Sequence, residues 1–584
     1  MREFRKPTVL AAMIAALMAG ALAIGCGGDT SPAAPPVQPP PRLPGSVDVL
    51  VIGGGMAGTA AALSAAYEGA SVLLVEKLGV LGGIGGGGSL GATNSSVQQH
   101  FGITDTDQDW IDLWALRDVQ VGDASFRHPS FPVPAAVQWL VQGSAGMIDW
   151  LISHGGQFNQ RPWSLAQDVD ERFHTLTNPG FGGGPGLSRF LAGRAEYHGA
   201  EVSFNTRAVE LIQEDGPGSR VVAVRMDCNT VVDVGAVILA TGGFASVAAP
   251  WIAESHGANP ADVSINVWSA DLLEHWHGQG IEMGLTAGGE LWEDSWVIGL
   301  GTQVLAGAVN RATQGMLFDS SVGERSGFEN ASTGTMTSHA LVAQVRGGRA
   351  YWIVSSNFFG TVAAEGVPAV PASGMPGHAN PADPDAVPAT PAGPNVPVAG
   401  PTAAQLEGDH VLRAGSLEAL AGLMAGNVNP ADLVSAVTEF NTIAGNIHQL
   451  LIDEAQDASF ASVDPRDVEL FNTNPNTHAP NPAMAFIPQT TRKTYRIIDL
   501  DADYFYAVAI RPTIMGTFGG LVTELGTGRM LTTVGGDAIP GLYAIGEAAN
   551  RNFFGYVYIS GSASTQAVMT GRAAGAHAAD FAME

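Results

Sequence analysis

The chain has 584 residues, 46% of them hydrophobic and 14% charged, enough to bury a large core and to form more than one domain. Its 27 lysines and arginines against 55 acidic residues give a net charge of -28, which repels nucleic acid and leaves no basic tract for a phosphate backbone. Two cysteines exclude a Cys-x-x-Cys-His haem site, an iron-sulfur cluster and a structural zinc site, so no metal is expected and any redox cofactor is held without sulfur ligands.

Arg2, Arg5 and Lys6 precede an almost wholly apolar run from Thr8 to Ile24, the pattern of an export signal over residues 1–26. The run ends in Leu22-Ala23-Ile24-Gly25-Cys26 and resembles a bacterial lipoprotein signal, with Cys26 as the lipidated residue of an exported chain, periplasmic or at the cell surface. An ordinary cleaved signal or an uncleaved anchor is the alternative. Residues 27–46, with PAAPPVQPPPRLPG, read as an extended tether. A second proline-rich stretch, about 363–401, reads as a surface insertion without regular structure.

After the tether, Val47 to Ile52 is an apolar run of strand length. Gly53, Gly55 and Gly58 follow at Gly-x-Gly-x-x-Gly spacing, then an alanine-rich helix and a second strand, Ser71 to Val75, closed by Glu76. Gly53 permits the tight turn, Gly55 lets backbone N–H groups approach a pyrophosphate, and Gly58 lets helix and strand pack closely. Glu76 accepts hydrogen bonds from a ribose in such units, which argues against a 2′-phosphate but does not choose between NAD and FAD. The loop LGVLGGIGGGGSLGATN then offers bare backbone to a flat ring and its phosphates.

Further along, Val137, Leu140, Val141, Met147, Ile148, Leu151 and Ile152 fall at helical spacing and predict a core-facing helix. Arg207 to Val224 alternates like short strands, and a buried strand, Ala236 to Leu239, ends in Ala240-Thr241-Gly242-Gly243. His275 and His277 flank Trp276 before Gly278 and read as structural histidines. GDAIPGLYAIGEAAN places Gly546-Glu547 after another short strand, and RNFFGYVYISGSASTQ precedes the closing helix.

These stretches, in this order, resemble the flavoprotein family of fumarate reductase, succinate dehydrogenase, urocanate reductase and the 3-ketosteroid dehydrogenases. The resemblance implies an α/β fold, with a discontinuous Rossmann-like FAD-binding domain over 47–248 and 504–584 and an inserted α+β capping domain over 249–503. By position, Gly53, Gly55, Met56, Ala57, Gly58, Glu76, Lys77 and Gly83 would contact FAD, and the backbone of Val209 would meet the adenine. Ala240, Thr241, Gly242, Gly546 and Glu547 would line the rest. Some members attach FAD to a histidine in the loop after the acid. Residues Gly82 to Ser89 contain none, so FAD is expected to be non-covalent.

The same resemblance frames the substrate. Fumarate reductases carry a proton-donating arginine after a Gly-x-Arg-Phe-x-Asn-Glu hairpin. Here the hairpin reads Gly323 to Asn330 and no arginine follows before Arg346, leaving His339 as the candidate acid. Their histidines before a Thr-x-Gly-Gly turn are replaced by Ile514-Met515-Gly516 ahead of Thr517. Their Asn-Arg-Leu-Gly-Gly segment is replaced by Tyr556 to Gly561. In its place, Tyr558-Ile559-Ser560-Gly561 resembles the Tyr-x-Ser-Gly pattern of ketosteroid dehydrogenases acting at the 4,5 bond. Carried over, Tyr558 and Ser560 would clamp a ketone, while Ser562, Ala563 and Ser564 would open a helix toward the flavin's pyrimidine oxygen.

The expectation is an exported FAD-dependent oxidoreductase acting on a CH–CH or C=C bond beside a carbonyl, with a small, apolar substrate such as a 3-ketosteroid. Electrons pass through an external carrier, a quinone or a cytochrome, and the membrane is met only through the lipid. One alternative is a respiratory ene-reductase of an unsaturated acid, using Arg551, Arg325 or Arg511 as its clamp. Another is a non-catalytic flavin electron-relay lipoprotein.

Overall fold

A computed structural model of the chain describes residues 43–83, 88–119, 131–163, 171–267, 275–303, 316–325, 333–356, 411–452, 498–556, 558–559 and 561–584. Cys26, most of the tether, the proline-rich insertion and Ser560 lie outside the described residues.

The first unit is β1 (Ser46–Ile52), α1 (Met56–Tyr67) and β2 (Val72–Val75). Val49, Leu50 and Val51 are buried on both faces of the sheet, as a central parallel strand requires. Two short strands, β3 (Leu90–Gly91) and β4 (Phe173–His174), form a separate antiparallel ladder. Between them in sequence lies α2 (Pro134–Ser153), which buries Val137, Leu140, Val141, Met147, Ile148 and Leu151. Ile152 departs from the expected stripe: it sits at the stripe's edge in the last turn and is 40% exposed.

After α3 (Gly183–Tyr197) come β5 (Glu201–Ser203), β6 (Ala208–Gln213), β7 (Val221–Met226) and β8 (Val231–Leu239). The middle of the chain supplies β9 (Asn266–Val267), α4 (Gln279–Thr286), β10 (Trp296–Gln303), β11 (Met316–Asp319), β12 (Glu324–Arg325) and α5 (Thr333–Val345). It continues with β13 (Ala350–Ser355), β14 (Val411–Ala414), α6 (Pro430–Ile452), β15 (Phe505–Ala509) and β16 (Arg511–Phe518). The chain then returns through β17 (Arg529–Leu531) and β18 (Ala538–Ala544) to α7 (Ser562–Met583).

The large sheet runs β17-β18-β8-β1-β2-β5, with β7 pairing β8 and β6 pairing β7, so both ends of the chain build one sheet. The middle segment forms an antiparallel sheet ordered β12-β11-β13-β15-β14 and a smaller one ordered β10-β16-β9. Strands β15 and β16 therefore pair with the inserted segment, and the chain rejoins the large sheet only after Phe518, later than the expected boundary at residue 504. Residues Met56 to Ala66 of α1 are all buried, because α7 crosses the helix at near-contact. A Cβ on Gly571 or Gly575 would stand 2.3 Å from the carbonyl of Ala57 or Ala61.

Candidate functional site

Strand register brings four separate motifs to one place. Ile52 is level with Val75 on one side and Leu239 on the other, and Leu239 is level with Ala544. The residues that follow, Gly53, Glu76, Ala240 and the Ile545-Gly546 pair, therefore emerge side by side at the carboxyl edge of the sheet. Open α/β sheets bind ligands at this edge.

A cavity of about 440 Å³ opens there. Gly53 has φ +111°, and a Cβ on it would lie 2.4 Å from the Ala240 carbonyl, so the turn has no room for a side chain. A Cβ on Gly58 would lie 1.9 Å from the Gly53 carbonyl, the close helix-to-strand packing expected of that position. Gly55 has open space in front of it and caps α1 with no side-chain hydrogen bond, which leaves N–H groups at the helix start facing the cavity. Glu76 is held from two sides, its Oε2 accepting the Gly54 N–H at 2.7 Å and its Oε1 the Leu78 N–H at 2.8 Å. A bare cradle, an uncapped helix start and a fixed carboxylate suit a dinucleotide's phosphates and ribose. The cationic side chains on the wall, Lys77, Arg189 and Arg207, belong to the segments around this end.

The opposite end is built from the inserted segment and the C-terminal region. Ile298, Met515, Asn550 and Tyr558 line it, with Ala563, Ser564 and Ala567 from the start of α7. Asn550 is locked by its own amide: its Oδ1 accepts the Gly519 N–H at 3.0 Å and its Nδ2 donates to the Thr517 carbonyl at 2.9 Å. Tyr558 Oη accepts the Gly561 N–H at 3.2 Å, which fixes the phenol's direction. Gly561 has φ +82° and no room for a side chain, because a Cβ would meet the Phe173 ring of β4 at 2.5 Å.

Glu547 is the one acidic side chain on the wall at this end among the described residues. Its Oε1 accepts the N–H of Thr517 at 2.5 Å and the hydroxyl of the same residue at 2.9 Å. Burial pushes the carboxyl up to about 7, against the lowering effect of those two donors.

Arg551, a candidate carboxylate clamp, faces away from the cavity. Its Nη2 donates to Asp294 Oδ2 at 2.8 Å, its Nε to the Asp294 carbonyl at 3.0 Å, and its Nη1 to the carbonyls of Phe554 and Gly555. The guanidinium is fully buried and lies over the Phe131 ring at 4.1 Å. Tyr556 Oη also donates to Asp294 Oδ2 at 2.6 Å, and His256 Nε2 stands 3.1 Å from Oδ1. Desolvation raises Asp294, but Arg551, His256 and Tyr556 together outweigh it and hold the carboxyl below its ordinary range. The other candidate clamps are also off the wall. Arg325 packs over Phe440 of α6, and Arg511 opens β16.

The expected cofactor residues Gly53, Gly55, Met56, Ala57, Glu76, Lys77, Gly83, Ala240, Thr241, Gly242, Gly546, Glu547, Ala563 and Ser564 all line the cavity. Gly58 lies behind the wall, and Ser562 is buried with its hydroxyl donating to the Ile559 carbonyl. Val209 stands one position beyond the wall residues Thr206, Arg207 and Ala208. His339 sits in α5, where its neighbours Thr337 and Ser338 face Gly299 and Tyr556, and it is not on the cavity wall. Trp276, Met283, Ile298, Met515 and Asn550 line the cavity without a motif to announce them.

A family described as FAD binding domain matches residues 48–564, and the chain belongs to that family. Its cofactor is FAD. The chain is similar to urocanate reductase of Eggerthella lenta, 35% identical over 221 residues that make up 36% of this chain and 34% of that protein. It is similar to fumarate reductase (cytochrome) of Shewanella frigidimarina, 28% identical over 256 residues, 43% of this chain and 42% of that protein. The match thus spans less than half the length of these curated relatives. In fold it is similar to 3-ketosteroid-delta4-(5alpha)-dehydrogenase from Rhodococcus jostii, at 21% identity and TM-score 0.57, covering 91% of this chain and 97% of that one. It is also similar to the open conformation of a flavocytochrome c3 fumarate reductase, at 21% identity and TM-score 0.52, covering 92% of this chain and 79% of that one.

Proposed function

We propose that the protein is an FAD-dependent oxidoreductase acting on a CH–CH or C=C bond beside a carbonyl of a neutral, largely apolar substrate of the 3-ketosteroid kind. Bound FAD supplies the two-electron chemistry. Ile298 and Met515 offer the substrate an apolar wall and exclude water from it. Tyr558, with Ser560, polarises the carbonyl, which acidifies the adjacent C–H bond.

The observation that carries this reading is the charge distribution along the cavity. The wall cations belong to the dinucleotide end, and Arg551 is committed to Asp294, so among the described residues the other end lacks the guanidinium that carboxylate recognition uses. An unsaturated acid is the second reading, favoured by the reductases among the curated relatives. Titration of the oxidised holoprotein separates the two. Neutral 3-ketosteroids should perturb the flavin absorbance bands saturably, and fumarate and urocanate should not. Saturable binding of the acids alone would reverse the assignment. An external quinone or cytochrome is the proposed electron carrier, and export with lipid on Cys26 is the proposed location. Fractionation with labelled lipid, compared between the wild-type chain and Cys26→Ser, tests the latter.

A further inference from the structure

The segment His275 to Gly278 lines the dinucleotide end of the cavity and is fastened to two other parts of the protein. Lys77 Nζ, from the turn after β2, donates to the His275 carbonyl. Ser246, after β8, donates its N–H at 3.1 Å and its hydroxyl at 2.7 Å to the Trp276 carbonyl. With that proton committed, the Ser246 hydroxyl accepts from His277 Nδ1 at 2.9 Å. Beyond Gly278, α4 is seated on the turn after β8, where a Cβ on Gly280 would meet Thr241 Oγ1 at 2.0 Å.

This fastening sets the Trp276 indole across the cleft. A Cβ on Gly242 would lie 3.2 Å from Trp276 Nε1, and one on Gly83 would lie 3.9 Å from its Cζ2. The same Cβ on Gly83 would lie 3.5 Å from the Cα of Gly55, the uncapped start of α1. The indole thus lies between the Gly83 and Gly242 walls, with its Nε1 edge nearer Gly242 and its far edge nearer Gly83. The loop Gly82 to Ser89 has no histidine for covalent attachment, so retention of FAD depends on enclosure.

We propose that Trp276 is a cofactor-clamping residue: its indole covers the middle of bound FAD, donates through Nε1 to a pyrophosphate or ribose oxygen, and slows cofactor release. An aromatic roof adds a large rigid contact at small entropic cost, and its N–H becomes useful once water is excluded. The inference rests on FAD binding and is independent of the substrate assignment.

The test is release and rebinding of FAD by the full chain, followed by flavin and indole fluorescence. Trp276→Ala should raise the Kd by roughly tenfold to a hundredfold, mostly through faster dissociation. Trp276→Phe should fall between it and the wild type. Unchanged Kd and dissociation rate in Trp276→Ala, with the apoprotein's urea midpoint also unchanged, would overturn the proposal. Ser246→Ala supplies the check should Trp276→Ala fail to fold. Ser246 does not line the cavity, so it reaches FAD only through the strap. A several-fold faster release is expected, and a wild-type release rate would count against the clamp.

Discussion

The two ends of the cavity are made by different means. The dinucleotide end consists of turns that follow aligned parallel strands, and its shape comes from backbone and glycines at Gly53, Gly55, Gly83 and Gly242. The substrate end consists of side chains from β10, β16 and the stretch before α7, held by a buried network around Asp294. The first is a site for backbone-recognised phosphates. The second is shaped by a few side chains, so single substitutions there are expected to act without touching the cradle.

The largest expected effect tests the network. Asp294→Ala leaves Arg551 buried without its carboxylate and should cost roughly 3–5 kcal/mol by urea unfolding. Asp294→Asn, which keeps acceptors for Arg551 and Tyr556, should cost less. Unchanged stability together with new affinity for carboxylates would mean that Arg551 is available to substrate after all.

Next in size is the clamp. Tyr558→Phe should lower turnover of a ketone substrate by about 100-fold to 1,000-fold while FAD affinity stays close to wild type. Parallel loss of FAD and activity would instead make Tyr558 a packing residue of the domain interface.

Glu547 gives the substrate end a pH-dependent contribution to stability. Its carboxyl is raised from its ordinary 4.5 to about 7, so in the apoprotein it holds a proton that the unfolded chain has released. Its contribution therefore makes the fold less stable as pH rises from about 4.5 to 7, by at most about 3 kcal/mol. Urea unfolding of the apoprotein across that range should show this fall in the wild type relative to Glu547→Gln. A pH-independent difference between the two would place Glu547 in an ordinary, solvated state.

The smallest effect is the control. Arg325→Gln should leave substrate preference and FAD affinity unchanged, since Arg325 packs over Phe440 and does not line the cavity. A shift in preference toward neutral substrates would show that Arg325 serves the site.

The same contrast explains how much was legible beforehand. Gly53, Gly55 and Gly242 announce themselves because a phosphate cradle demands residues without side chains at set distances from strand ends, and Glu76 because the ribose demands an acid at the end of the second strand. The helix bearing Val137 and Leu140 was legible from its period, and only Ile152 at the stripe's edge departed from it. Strands β15 and β16 pair with strands of the inserted segment, which alternation does not reveal because it identifies a strand but not its partner sheet. Arg551 looked available from its place beside the Gly-Glu motif, and its pairing with Asp294 spans 257 residues of sequence. Trp276 reads locally as one aromatic between two histidines, and its role depends on Gly83 and Gly242 arriving from other segments.

On the proposed function, the substrate end recognises a neutral carbonyl. Anaerobic mixing of the holoprotein with substrates tests it most directly, with saturated ketosteroids offered to oxidised flavin and unsaturated ketosteroids or unsaturated acids offered to reduced flavin. The expected result is a saturable change in flavin redox state with at least one ketosteroid and none with fumarate or urocanate. A change driven by the acids alone would contradict the account, and so would no change with either class.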